Sequence, residues 1–380
     1  MNRIKLVILY QVIFSYRLPI YNRISNIPGI DFELWHCPDM PGTKKMNAKG
    51  AKNFKTRVLR TVFKKFQTNN SDNVMPVSFF LFTKLVFKNP QIVLSEGTSS
   101  IYNSSIAFLY CKIFRKKFIW WSLGELKNRE YQGLRKKLNS WVQYIEKNAD
   151  AIFTYSSQGE QYFLRQGIKP EKIFKAVNVI DTDIRLEQIS KLDASQLKRD
   201  DKFNLVFVGS IIQEKNLKLV FQVLSKLHAK HPDAFRFHII GDGNYLPTLK
   251  EEFLEFPDIR DIVTFHGRVE DKLSELLVGC DLLVLPGLGG LSISEGMVHG
   301  LPVICGVADG SENDLIDDRN GFVLEDMSEE NLQEKIELLY NDRALLQQMK
   351  TNALEKIKHE YSIGNYMNVL QNCIESVKKK

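Results

Sequence analysis

The sequence is short of acidic residues in its first half, of closely spaced cysteines, and of long apolar runs. Five cysteines, Cys37, Cys111, Cys280, Cys305 and Cys373, are scattered through 380 residues with no C-x-x-C pair. That excludes a disulfide or zinc framework and reads as a reduced, cytoplasmic chain. The longest greasy stretch, Ser78 to Phe87, is brief and carries Lys84, so no segment is expected to span a membrane. The start is basic and then apolar, but Gln11, Tyr16 and Arg17 interrupt it and no small-residue cleavage site follows. A first buried strand is expected there rather than a signal peptide. Neither G-x-G-x-x-G nor a Walker A sequence occurs, which argues against a dehydrogenase or an ATPase. Acid is scarce only as far as residue 200, where 33 Lys and Arg stand against 16 Asp and Glu; residues 201–380 hold 19 against 29. The basic half is therefore the one expected to face an anionic partner.

What is present is a regular alternation of apolar strands with helical segments, in a chain long enough for two domains. Strands are expected at 4–10, 31–36, 91–95, 117–122, 149–155 and 173–178, and again at 203–209, 235–240, 262–265, 281–285 and 302–305. The polar stretch 183–202 lacks a core pattern and reads as the linker. The domains expected are 1–195 and 196–360, each a doubly wound parallel sheet, facing across a cleft between their strand ends. A last helix, 361–380, is expected to return to the first domain.

Residues 43–70 place Phe54, Val58, Leu59, Val62, Phe63 and Phe66 on one helical face, with Lys52, Lys55, Arg57, Arg60, Lys64 and Lys65 around it. That pattern predicts a helix, either packed on the sheet with a solvated basic side or lying on an anionic membrane surface. Loops after strands border ligand clefts in open α/β sheets. Tyr16 and Arg17 follow the first strand, and Glu96 and Glu125 follow two others. These are the candidates for the acceptor side, Arg17 for an anion and the glutamates for hydroxyls or proton transfer, with surface or capping roles as the alternative.

The stretch Pro286-Gly-Leu-Gly-Gly-Leu-Ser-Ile-Ser-Glu-Gly-Met-Val-His-Gly-Leu-Pro-Val-Ile-Cys305 reads as strand end, glycine turn, helix and strand. Gly287, Gly289 and Gly290 let the backbone turn and approach a ligand. A helix opening near Leu291 offers free amides at its positive end, which suits a diphosphate. Glu295 lies four residues on, about 6 Å along the axis, the separation of a phosphate from a ribose. Lys215, just past another strand end, is placed to offset diphosphate charge. An ordinary strand, loop and helix, with a surface lysine, is the alternative at this point.

These residues fall into an ordered series. Phe207-Val-Gly-Ser-Ile-Ile-Gln-Glu-Lys-Asn216, Ile240-Gly-Asp-Gly243, Phe265-His-Gly-Arg-Val269, Gly290-Leu291 with Glu295, and Asn320-Gly-Phe-Val-Leu324 resemble the motifs of the retaining GT-B glycosyltransferases of family 4, also called group 1. Ser15-Tyr-Arg-Leu-Pro-Ile-Tyr21 and Trp120-Trp-Ser-Leu-Gly124 look like acceptor-side motifs of bacterial members that build surface polysaccharides. The resemblance implies a GT-B fold and transfer of a hexosyl-type sugar from a nucleoside diphosphate sugar to a hydroxyl, with retention. It implies that Lys215 binds the diphosphate and that Glu295 holds the ribose. Gly209, Ser210, Gly241, Gly243, Arg268, Gly287, Gly289, Gly290 and Leu291 are implied as the rest of the donor site. Two positions depart from the family: Ser210 stands for an arginine, and Gly287 for the first of two glutamates spaced like 287 and 295.

No metal, cofactor or nucleic-acid partner is implied. Glu125 is the side chain best placed in sequence to assist proton transfer, although in family members the leaving phosphate is often thought to take the acceptor proton. The basic first domain points to a lipid-linked glycan acceptor at the inner face of a membrane. A sugar-nucleotide epimerase on the same scaffold, and a catalytically silent nucleotide-sugar-binding homologue, remain as alternatives.

Overall fold

The computed structural model of the protein describes residues 3–41, 43, 45–50, 52–68, 71–124, 134–193, 201–269 and 272–378. The chain forms two compact units, Met1–Val177 with Gly364–Lys380, and Asn178–Ile363.

The strands of the first unit are β1 (Ile4–Tyr10), β2 (Ile30–His36), β3 (Lys55–Val58), β4 (Thr61–Thr68), β5 (Ser71–Ser78), β6 (Ile92–Glu96), β7 (Lys117–Trp121), β8 (Ala151–Thr154) and β9 (Ile173–Lys175). Its helices are α1 (Leu18–Ser25), α2 (Leu81–Lys88), α3 (Ile101–Ile113), α4 (Leu134–Asn148) and α5 (Ser157–Arg165). Seven strands form a parallel sheet in the order β3-β2-β1-β6-β7-β8-β9, while β4 and β5 pair as an antiparallel hairpin. The central strands are buried along their lengths, as at Leu6 to Tyr10 and Phe118 to Trp121. A sheet covered on both faces reads as a continuous apolar run rather than an alternation, which is why these strands were legible.

The expected helix over 43–70 is not there; β3 and β4 occupy its second half. The helical stripe was a coincidence of spacing in a segment rich in β-branched residues (Thr56, Val58, Thr61, Val62). What decides the outcome is pairing with β2. Lys55 Nζ lies 3.0 Å from Asp31 and Arg57 Nε 3.0 Å from Glu33, and the Arg57 guanidinium stands 5.2 Å over the Trp35 ring. Burial alone would raise the Glu33 carboxyl, yet Lys88 and Arg57 hold it below its usual value. Among the described residues no helix is long and apolar enough to cross a membrane.

The second unit has strands β10 (Phe203–Val208), β11 (Phe235–Ile240), β12 (Val263–Gly267), β13 (Leu282–Leu285), β14 (Val303–Gly306) and β15 (Gly321–Leu324). Its helices are α6 (Thr182–Ser190), α7 (Leu217–Lys230), α8 (Leu246–Phe253), α9 (Leu273–Val278), α10 (Leu291–Val298), α11 (Glu312–Leu315), α12 (Glu329–Asn341) and α13 (Arg343–His359). The six strands are all parallel, ordered β12-β11-β10-β13-β14-β15. Counted within the unit this is the 3-2-1-4-5-6 order of dinucleotide-binding sheets, whose ligands sit where the order reverses. Here that point is the carboxyl ends of β10 and β13.

The units part between Val177 and Asn178, ahead of the expected 195/196; residues 194–200 lie outside those described. The stretch read as linker contains α6, capped by the Asp181 side chain on Ile184 N at 3.3 Å. A last helix, α14 (Ile363–Lys378), carries the chain into the first unit, where the Tyr366 ring meets Phe153 edge-on at 5.6 Å. Ile363 N, a first-turn amide without a helical partner, donates to the buried Thr182 Oγ1 at 3.0 Å. Thr182→Val keeps the shape and removes that acceptor. It is expected to cost about 1–3 kcal/mol, read as a lower thermal midpoint, while Thr182→Ser stays near wild type; an unchanged Val variant would contradict the cap.

Candidate functional site

At the reversal point of the second sheet, three strand ends are joined main chain to main chain. Gly209 N donates to Ile240 O at 3.0 Å, Ile211 N to Asp242 O at 3.0 Å and Gly241 N to Gly267 O at 2.8 Å. The backbones of Gly241 and Gly243 run against the Gly209 and Ile211 carbonyls, so this floor is rigid. Ser210 and Arg268 lie exposed at its rim. The chain then makes a single 3-10 turn, Gln213–Lys215, which is the point of contact with the loop after β13.

That contact explains Gly287. A Cβ there would stand 1.9 Å from the Glu214 carbonyl oxygen and 2.9 Å from Lys215 Cα, so the space a side chain would take is filled by the Lys215 turn. A glutamate at 287 requires that turn to move. The Lys215 ammonium, with only 8% of the residue exposed, donates to the Leu288 carbonyl. Burial lowers its pKa, opposed by the nearby Asp309 carboxylate. The amine thus sits, weakly hydrated, beside the glycine turn.

Gly290 precedes α10 with φ +61°, and among the described residues no side chain caps the helix. Four residues after Leu291, Glu295 is 8% exposed and faces a residue the sequence pattern did not single out. Arg185 on α6 lies with Nε 2.8 Å from Glu295 Oε1, and its Nη2 donates to Oε2 at 3.4 Å. Burial raises the Glu295 carboxyl and Arg185 lowers it, burial prevailing. One turn on, His299 Nδ1 donates to the Glu295 carbonyl at 2.6 Å, and Nε2 accepts from Ser274 Oγ at 2.9 Å. Burial drops the His299 pKa to about 4, so the ring is neutral and serves as a strut. Arg185 gave no local signal because its partner lies 110 residues away in sequence.

In the first unit the sheet reverses between β1 and β6, and their ends are tied together. Gln11 N donates to Glu96 Oε2 at 3.3 Å, Ser99 Oγ to Oε1 at 2.7 Å, and Gln11 Nε2 to Ser99 O at 2.5 Å. Burial raises the Glu96 carboxyl above its ordinary value, with Ser99 opposing. Tyr16, 36% exposed, stacks on Phe14. Arg17, expected to meet an anion, is buried among aromatic rings. It is 2% exposed, 4.2 Å over Trp121 and within 6 Å of the rings of Tyr10, Tyr16 and Tyr155, with Nη1 donating to Tyr366 Oη at 3.2 Å. Cation–π contacts in this cage hold the guanidinium in place. Glu125 lies outside the described residues. Among those described, no group of three His, Cys, Asp or Glu side chains is placed to hold a metal.

The two glycines give a stability test. Gly287→Ala, blocked by main chain, is expected to cost about 3 kcal/mol or more. Gly290→Ala, with no described atom within 4 Å of its Cβ but φ +61° and ψ −146°, costs about 1–3 kcal/mol. Urea titrations that rank them in the opposite order would contradict this geometry.

Comparison with known proteins agrees with the second unit's architecture. Residues 188–356 match the family described as glycosyl transferases group 1. The sulfoquinovosyl transferase SQD2 of Arabidopsis thaliana is 32% identical over 146 residues, 37% of this chain but only 27% of that protein. The O-antigen biosynthesis glycosyltransferase WbnH of Escherichia coli is 24% identical over 296 residues, 75% of this chain and 80% of its own. Among solved structures, Anabaena Alr3699/HepE in complex with UDP superposes with a TM-score of 0.72 at 15% identity, covering 100% of both chains. At that identity the likeness concerns the fold. Residues 188–356 thus resemble the glycosyl transferases group 1 family, in a chain of GT-B fold built from two parallel-sheet, Rossmann-like units.

Proposed function

We propose that the protein is a retaining glycosyltransferase of family 4 that moves a sugar from a nucleoside diphosphate sugar to a hydroxyl of a lipid-linked glycan, in the building of a surface polysaccharide. The observation that carries this reading is the convergence at the β10/β13 reversal point. There the buried Lys215 ammonium and the uncapped start of α10 lie beside one glycine turn, with the Glu295 carboxylate one turn further along. As the bond to the sugar breaks, charge gathers on the leaving diphosphate. Lys215 and the Gly290 and Leu291 amides are held ready to offset it, without reorganisation and without a metal. Glu295 accepts from the ribose hydroxyls. The family match over 188–356, the O-antigen relative and the UDP in the Anabaena structure support this donor class.

The reading is tested by incubation with uridine and guanosine diphosphate sugars, with and without a membrane lipid extract. Nucleoside diphosphate release that requires the extract is expected, and Lys215→Met should lower kcat by about 100-fold. Sugar conversion without acceptor would make it an isomerase, and binding without turnover a silent homologue; either outcome overturns the proposal.

The lipid-linked acceptor rests on the surface of the first unit. Phe80 and Phe87 on and before α2 are 67% and 90% exposed. The Lys84 pKa is lowered by burial and by the neighbouring Arg57 and Arg60, a cluster of one sign. Apolar rings among cations suit an anionic membrane face, on the cytoplasmic side. Phe80→Ser/Phe87→Ser and Arg60→Glu/Lys84→Glu are each expected to reduce flotation with phosphatidylglycerol vesicles; undiminished flotation of both would remove the membrane from the proposal.

A further inference from the structure

Glu295 is a carboxylate buried where a charge is costly, and its Oε1 atom is enclosed without an aligned hydrogen bond. Its compensation comes from one side chain. Arg185 spans both oxygens, and its remaining arm is fixed by Nη1 donating to Gln188 Oε1 at 2.8 Å. The helix carrying it is itself held at both ends, Asp181 capping its N-terminus and Thr182 receiving the Ile363 amide. A guanidinium held this way is a preset fork rather than a mobile surface cation.

We infer that Arg185 is the positioning residue of the nucleotide site: it grips the Glu295 carboxylate and orients it to receive the ribose hydroxyls of a nucleoside diphosphate. This rests on the reading of Glu295 in the proposed function. Without Arg185, burial acts on Glu295 unopposed, and the carboxyl takes up a proton at higher pH. A protonated carboxyl turns one oxygen into a donor and accepts more weakly than the carboxylate, so binding weakens as pH falls.

The other groups around Glu295 do not replace this. His299, on the same helix, lies 3.8 Å from Oε1 through Nδ1, but that nitrogen is committed to the Glu295 carbonyl and the ring is neutral. From α9, Ser274 reaches only His299. On α11, Glu312 receives the Ala308 and Gly310 amides, and Asp314 acts on Tyr361. On α13, Lys350 pairs with Asp281 and Lys356 with Asp317.

The test is calorimetric titration of UDP and GDP into wild type, Arg185→Met, Arg185→Lys, Glu295→Gln and the Met/Gln double variant, from about pH 5.5 to 8. Glu295→Gln is expected to weaken binding about tenfold. Arg185→Met should weaken it most at the acid end, moving the midpoint of the pH profile upward. Arg185→Lys, which keeps the charge but not the fork, should recover the midpoint and part of the affinity, and keeps the question answerable should the Met variant fold poorly. In the Glu295→Gln background the Met change should cost nothing further. Equal losses with and without Glu295, or a Met variant that binds like wild type beside a weakened Gln variant, would overturn the inference alone. Normal binding by Glu295→Gln would instead overturn the reading beneath it.

Discussion

The candidate site of the second unit is organised around one close approach of main chain to main chain. The turn carrying Lys215 and the loop carrying Gly287 touch so closely that the Glu214 carbonyl oxygen fills the place of a Cβ. Such a contact involves no flexible side chain, so it fixes the separation of the two loops as rigidly as the strands that feed them. Lys215 then has little freedom: its ammonium donates to the Leu288 carbonyl in the facing loop. The parallel order β12-β11-β10-β13-β14-β15 brings these loops together. They follow adjacent strands that are separated in sequence by two other strands of the same sheet.

The same contact accounts for the departure from the family pattern at Gly287. In isolation the glycine reads as a lost donor-sugar ligand. In the structure it is what lets the lysine turn pack against the helix entrance. What that position supplies is closeness.

Charge is handled in three different ways along the chain, and only one of them is visible in a net balance. On the edge strand β3, Lys55 meets Asp31 in an exposed pair worth at most about 1 kcal/mol, and Arg57 meets the buried Glu33. Arg17 is enclosed by aromatic rings. Around Lys84 the Arg57 and Arg60 cations disfavour its charged form, and a local excess of base of this kind is what an anionic surface reads.

The buried strands of both sheets, the β/α alternation and the sequence positions of Lys215, Gly290 and Glu295 were determined by the sequence alone, because a strand covered on both faces needs an unbroken apolar run and a helix start after a glycine turn needs no distant partner. The hairpin and edge strand over 55–78, the place of α6 in the second unit, the burial of Arg17 and the pairing of Arg185 with Glu295 were decided only by tertiary structure. Each depends on a group remote in sequence. The β2 acids, the Ile363 amide, the rings of Trp121 and Tyr366 and a carboxylate 110 residues away supply energies that periodicity within a short window cannot contain.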